Sequence, residues 1–466
     1  MNKKALTIIL CAALAATLLP GCSKKEPEAS AENVSEENVV ESEEAPEKVT
    51  KPENVGERTA KINVAKEPEK SEESEESEEP ASPDIVKNTG HFVFMDGKIY
   101  FHIPDADSMG RSTLWAEYAD TECGRTILVS YDPATEEVEN VAYDYSSGSL
   151  GVHQNGVYSI GYTASADGQS YVGKSLDKYS SADGMILTEL QAQGDSLLGV
   201  SKSGSYVATL HSDYINSQSV NTVSVFRDGV LSASYDLDHY YGCVGLGENQ
   251  IFYIFATSEN FFMLRQLDIT TGDIIDLGPL PNLMDTDWCG YVDEFIVDDE
   301  NVYFTYSSYQ GTGNFFTEGY YVWAKINQPD SAKYSEMPTN MVDGDPRFAP
   351  FAVIDGQMTF ADGEPGTCAV NTDGDLGYYD EQGKWQKVTS GWETEYDTQT
   401  DDYSSVELAE LVGDSIYLIY NNNQRAPQDD IGWRYAYYRN SCDVFKVSVE
   451  TGEAVRLVHQ VGPGGE

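Results

Sequence analysis

Positive charge is scarce in this sequence. It carries 29 Lys and Arg against 78 Asp and Glu, a formal net charge of −49 over 466 residues. Such a chain lacks the basic footprint that nucleic acid requires, so no nucleic-acid partner is expected. It also disfavours direct adhesion to anionic lipid head groups. Cationic partners, divalent cations and neutral glycans remain compatible with it. Cysteine is sparse, seven in all, and no CxxC spacing occurs, which argues against zinc. Apart from Cys11 and Cys22 there are Cys123, Cys243, Cys289, Cys368 and Cys442, an odd number, so at least one thiol is free or pairs between chains. GxSxG, HExxH and P-loop patterns are all missing, and the six His are scattered. Acidic residues are so abundant that no carboxylate pair stands out as glycosidase-like, and no residue is nominated as catalytic. The N-terminal run Ala5 to Leu19 is short of the roughly 18–20 apolar residues that a membrane span needs.

That short run has a better use as a signal-peptide core. Lys3 and Lys4 precede it, and Leu19-Pro20-Gly21-Cys22 follows it directly. This order resembles the bacterial lipobox. The resemblance implies that residues 1–21 are removed and that Cys22 is acylated, becoming the lipid-anchored first residue. The expected partner is then a lipid membrane, held by Cys22 at its extracytoplasmic face without a span.

Residues 22–87 form the anchor and a spacer. From Ser23 to Lys87 there is no aromatic residue, and the stretch includes Ser71-Glu-Glu-Ser-Glu-Glu-Ser-Glu-Glu79. Such a composition buries too little apolar surface to offset its ordering entropy, so a disordered, self-repelling tether is expected. A tether of this length suits the surface of a Gram-positive cell.

From Asn88 to Glu466 the pattern changes to short runs of Val, Ile, Tyr and Phe divided by Asn-Gly, Asp-Gly and Thr-Gly turns, which predicts an all-β domain. One motif recurs: a tight turn, then an apolar strand with a marker residue near its start. The marker positions are Tyr100, Tyr158, Tyr206, Phe252, Tyr303, Thr359 and Tyr417, spaced 46 to 58 residues apart. Each copy is followed by a second hairpin. Paired hairpins at this period predict a seven-bladed β-propeller with four antiparallel strands per blade over 88–466. The turns Asp268-Ile-Thr-Thr-Gly272 and Val449-Glu-Thr-Gly452, with the Asp-Gly-x-Ile-Tyr strand, resemble the quinoprotein-like and YWTD-like propeller superfamilies. The resemblance implies architecture and carries no catalytic residue, because propellers host unrelated functions.

Two site expectations follow. Asn371, Asp373, Asp375 and Asp380 alternate oxygen ligands as a Ca²⁺ loop would and resemble the loops of integrin-type blades, but the extra Leu376 also fits a plain turn and strand. Ca²⁺ is the sole cofactor considered, and the turn reading is preferred. Second, the connections between second and third strands, and between blades, are long. Strand alternation puts both on one face. These loops carry Trp115, Tyr118, Trp288, Tyr309, Phe315, Phe316, Trp392, Tyr396, Trp433, Tyr435 and Tyr437, a set suited to gripping a glycan or a protein. Trp392 and Trp433 are the strongest expectations. The function expected is a tethered binding or scaffolding module. A glycan-active enzyme with carboxylates at the channel mouth and an envelope assembly factor are the alternatives.

Overall fold

A computed structural model of the chain describes residues 88–106, 126–144, 146–164, 171–180, 186–190, 196–215, 218–256, 262–280, 291–310, 315–336, 339–342, 345–348, 350–397, 402–425 and 437–462. Every regular element named among them is a β-strand. The strands follow one another antiparallel in sequence order. The first sheet is built from Phe92–Met95, Lys98–Pro104, Thr126–Asp132 and Glu137–Asp144. The second comprises strands within 146–190 and gains a fifth strand, Thr89–Gly90, beside Ser146–His153. The third (196–237), fourth (240–279) and fifth (291–336) have four strands each. The C-terminal sheet (395–461) has five. Between the last two lie a hairpin, Phe351–Ile354 with Gln357–Phe360, and a three-stranded unit of Cys368–Val370, Asp375–Tyr379 and Trp385–Ser390.

The turn chemistry explains the hairpins. Asp96-Gly97, Asp228-Gly229 and Asp355-Gly356 hold φ of 51 and 82°, 52 and 73°, and 51 and 71°. Two successive positive φ values make the turn whose twist matches antiparallel strands, and Asp-Gly tolerates them at least cost. The Thr-Gly turns work differently. Asp268 Oδ1 accepts the N–H groups of Thr270 and Thr271 at 2.8 and 2.9 Å, and Gly272 closes the turn at φ 79°. A register shift recurs between the last two strands of five of these units, at Leu128/Val129, Val225/Phe226, Leu264/Arg265, Leu376/Gly377 and Val444/Phe445. Such a bulge sharpens the local twist of the sheets that carry it.

Neither face of such a sheet can be left to water, and consecutive sheets cover one another. Tyr100 and Leu128 of the first pack with Leu150 and Tyr179 of the second. Tyr158 and Leu176 of the second pack with Val207 and Phe226 of the third. The third and fourth share Tyr206, Val225, Tyr253 and Leu267, and the fourth and fifth share Phe252, Leu264, Phe304 and Val322. Tyr303 and Tyr321 pack on Phe351, and Leu376 packs on Leu411 and Leu418. The series then returns to its start: Tyr417 and Val444 of the C-terminal sheet pack with Phe92 and Tyr131 of the first. The sheets therefore form a closed ring, the arrangement of a β-propeller. Each fully buried large side chain contributes about 1.5–3 kcal/mol relative to exposure.

The marker residues of the repeat now have a physical role. Tyr158, Tyr206, Phe252, Tyr303 and Tyr417 are buried, and so is Tyr100. Tyr206 donates its hydroxyl to the carbonyl of Gly247 at 2.8 Å, and Tyr303 donates to that of Gly356 at 3.2 Å. Both acceptors lie in the first tight turn of the following unit. The ring thus seals one sheet against the next, and the hydroxyl satisfies a turn carbonyl. His153 does the same between the second and third sheets. Its Nδ1 donates to the carbonyl of Gly204, and its Nε2 accepts the N–H of Asp228 at 3.1 Å. These ties place the tight turns of neighbouring sheets at a common end of the ring.

Candidate functional site

With the tight turns at one end, the second-to-third connections lie at the other. There, several of these connections continue as two-stranded ribbons rather than opening into loops. In the fifth sheet the pairing runs on to Gln310↔Phe315, beyond Tyr291↔Ser307 on one side and Tyr320↔Glu336 on the other. In the C-terminal sheet it reaches Arg425↔Tyr437, past Asn423 and Ser441 where the flanking strands stop. The third sheet extends to Ile215↔Gln218 and the second to Ala164↔Tyr171. Continuing the ladder satisfies backbone N–H and C=O groups that a loop would leave to water. This corrects the expectation that the connections carrying Tyr309, Phe315, Phe316 and Tyr437 are loops. Tyr309, Phe315, Phe316 and Tyr437 occupy strand positions on these ribbons. The long connection that follows the fifth sheet contains a further hairpin, Thr339–Val342 with Asp345–Phe348.

Trp115, Tyr118, Trp288, Trp433 and Tyr435 lie outside the described residues, as does Cys22. Tyr396 is 54% exposed, in the short strand Glu395–Asp397 that pairs with Asp402–Ser404 at the ribbon end. Trp392 corrects the strongest expectation. It is 7% exposed and packs edge-on against Phe445 and Tyr420, with ring centroids 5.3 and 6.3 Å away. Its backbone N–H donates to the carbonyl of Gly374 at 2.9 Å. The polar neighbours that suggested exposure in sequence give way to an apolar gap between two units, which the indole fills.

A cavity of about 420 Å³ opens beside this tryptophan, where the ring departs from its repeat. Thr359 stands in the marker position here, and the strand Cys368–Val370 lies against the C-terminal sheet through an isolated bridge, Thr367↔Glu410. Ala369, Val370, Val406 and Leu408 give the cavity apolar wall, with Trp392 at one side. Glu393 and Glu407 bring carboxylates to it, and Cys368 a thiol. Both glutamates are exposed. The Tyr420 hydroxyl behind Trp392 is pushed above the usual tyrosine range, first by burial and then by the carboxylates of Glu395, Asp443 and Glu393. Asn371, Thr372 and Thr394 complete the lining, so the site is a recess of mixed character, apolar along one wall and acidic at the rim, suited to a cation on an apolar stem. Sequence reasoning missed it because its walls come from two units, and no local motif marks the junction.

Three of the four side chains considered for Ca²⁺, Asn371, Asp375 and Asp380, use their oxygens in turns and between strands. Asn371 Oδ1 accepts the N–H groups of Asp373 and Asp375, both at 2.9 Å. Asp375 holds Lys387 and Ser390 at 2.7 Å each, and these hydrogen bonds keep its carboxyl below the usual range. Asp380 Oδ1 accepts the N–H groups of Gln382 and Lys384 at 2.9 Å. Among the described residues no group of three His, Cys, Asp or Glu side chains is placed to hold a metal ion.

No family model and no curated protein matches the sequence. Among solved structures the chain is similar to the β-propeller domain of the Trilobed protease from Pyrococcus furiosus, at 9% identity and a TM-score of 0.43, covering 82% of this chain and 98% of that one. It is also similar to a puromycin-hydrolysing peptidase of Mycobacterium tuberculosis, at 12% identity and a TM-score of 0.39, covering 82% and 56%. TolB from Acinetobacter baumannii gives 10% identity and a TM-score of 0.28, covering 54% of each chain. The chain thus spans about half the length of the Mycobacterium peptidase and of TolB. At these identities the likeness carries nothing about activity.

Proposed function

We propose that this chain is a lipid-anchored extracytoplasmic binding module, which takes a basic segment of a protein partner at the ribbon end of a seven-bladed propeller. The anchor rests on Lys3, Lys4, the run Ala5–Leu19 and the lipobox-like Leu19-Pro-Gly-Cys22. The blade count takes the 351–390 segment as one irregular blade. In support, Phe351 packs on the fifth sheet and Leu376 on the C-terminal sheet. The observation that carries the binding reading is the recess lined by Trp392, Glu393 and Glu407. A Lys or Arg stem lies along its apolar wall while the head group meets the rim carboxylates. Tyr396 and the ribbons supply further area around it.

Two experiments test the two halves. Metabolic labelling with a fatty-acid analogue should mark the wild-type chain and not the Cys22→Ala chain; label persisting in Cys22→Ala overturns the anchor. Titration of the Cys22→Ala chain with an Arg-rich peptide amide should give binding that Glu393→Gln with Glu407→Gln weakens at least about tenfold, or 1.4 kcal/mol. An unchanged affinity overturns the site.

A further inference from the structure

The N-terminal segment reaches the ring by a route that fixes which end of the ring the preceding chain leaves from. Val152 donates its N–H to the carbonyl of Asn88 at 2.7 Å, and Thr89 and Gly90 pair with Gly151 and Leu150. The strand Ser146–His153 runs toward the tight turn that follows it, so Asn88, opposite Val152, sits at the tight-turn end. The pairing is antiparallel, so Thr89 and Gly90 run from there toward the ribbon end. The other edge of Ser146–His153 is taken by Gly156–Ala164. First strands of successive sheets touch one another, as Phe92–Met95 touches Ser146–His153 and Tyr240–Leu246 touches Tyr291–Val297. First strands therefore line the inside of the ring, and the N-terminal strand lies on their inner side.

Side chains secure this route. Asn88 Nδ2 donates to the carbonyl of Lys202 at 3.4 Å, in the first tight turn of the third sheet. Thr89 Oγ1 accepts the N–H of Val200 at 2.9 Å. The chain then reverses at Gly90, and the N–H groups of His91 and Phe92 donate to the Glu410 carboxylate of the C-terminal sheet. Residues 88–92 thus bind the second, third and C-terminal sheets together from within.

We infer that the chain preceding Asn88 leaves the ring at its inner edge on the tight-turn end, and so stays clear of the ribbon end and of the acidic recess. This exit direction rests on the pairing of residues 88–92 and not on the acylation of Cys22.

The exit direction is tested on the full chain by distances between pairs of genetically encoded spin labels. One label replaces Ser82, six residues before Asn88. The other replaces Asp228 at a tight turn or Gln218 at a ribbon tip. The two reporter sites are separated along the strand Gln218–Arg227, which at about 3.3 Å per residue spans on the order of 30 Å. The Ser82–Asp228 distance should be the shorter by on the order of 15 Å. Equal distances, or a shorter Ser82–Gln218 distance, overturn the inference, whatever the state of Cys22.

Discussion

Glu410 and His91 stand 319 residues apart in sequence and meet where the ring closes. The Glu410 carboxylate accepts the N–H of His91 at 3.1 and 2.9 Å and the N–H of Phe92 at 2.9 Å. Each end of the domain builds its own complete sheet, so closure relies on this contact and on the packing of Tyr417 against Phe92 and Tyr131. Gly90 lets the carboxylate approach: a Cβ there would lie 2.7 Å from Glu410 Oε2 and would push it aside.

Removing the Glu410 carboxylate leaves two half-buried N–H groups without their acceptor. Glu410→Ala should therefore lower the unfolding free energy by about 2 kcal/mol, with Glu410→Gln losing less. Chemical denaturation of the Cys22→Ala chain measures both. An unchanged midpoint for Glu410→Ala would show that packing alone closes the ring.

His153 gives the fold a pH dependence. Burial lowers its pKa from the ordinary imidazole value of 6.5, outweighing the hydrogen bond to Gly204. Its Nε2 must stay unprotonated to accept the N–H of Asp228. The unfolded chain therefore binds a proton more readily than the folded one. The contribution of His153 is full above about pH 6.5 and is lost as pH falls below it. Denaturation midpoints of wild type should fall between pH 7 and pH 5 more steeply than those of His153→Gln, to be compared at about one-unit steps. Parallel curves would remove His153 from the account.

Trp392 and Tyr396 are neighbours with opposite roles. Trp392→Ala should destabilise the domain by about 3–5 kcal/mol, because it empties a packed gap. Tyr396→Ala should stay within about 0.5 kcal/mol of wild type, because its ring is exposed. Thermal melts separate the two, and a melt for Trp392→Ala equal to that of Tyr396→Ala would contradict the packing described.

Much of the ring was legible in the sequence because turn chemistry is local. Asp96-Gly97 and Asp355-Gly356 announce their hairpins by residue type alone, and the buried markers from Tyr100 to Tyr417 announce the period. The irregular unit was not foreseen: Thr359 counts with the other markers and four strands are expected there, whereas a hairpin and a three-stranded unit occupy the stretch. What stayed hidden depends on residues distant in sequence. Trp392 looked exposed because its neighbours in sequence are polar, whereas its neighbours in space, Tyr420 and Phe445, come from the next sheet. Ribbons were mistaken for loops because a polar ladder such as Asn421-Asn-Asn423 lacks the apolar alternation by which strands are recognised. The contact of Glu410 with His91 has no local signal at all.

The central claim is that the acidic recess at the ribbon end binds a basic segment. Calorimetric titration of the Cys22→Ala chain with an Arg-rich peptide amide tests it, using two matched pairs of substitutions. Glu393→Gln with Glu407→Gln removes the rim charges, while Glu450→Gln with Glu453→Gln removes the same charge at a tight turn. Binding weakened at least about tenfold by the rim pair and little by the turn pair is the predicted result, since a charge at a specific contact counts for more than net charge. Equal losses from both pairs would show that the peptide answers only to the overall negative charge, and would contradict the recess as the binding site.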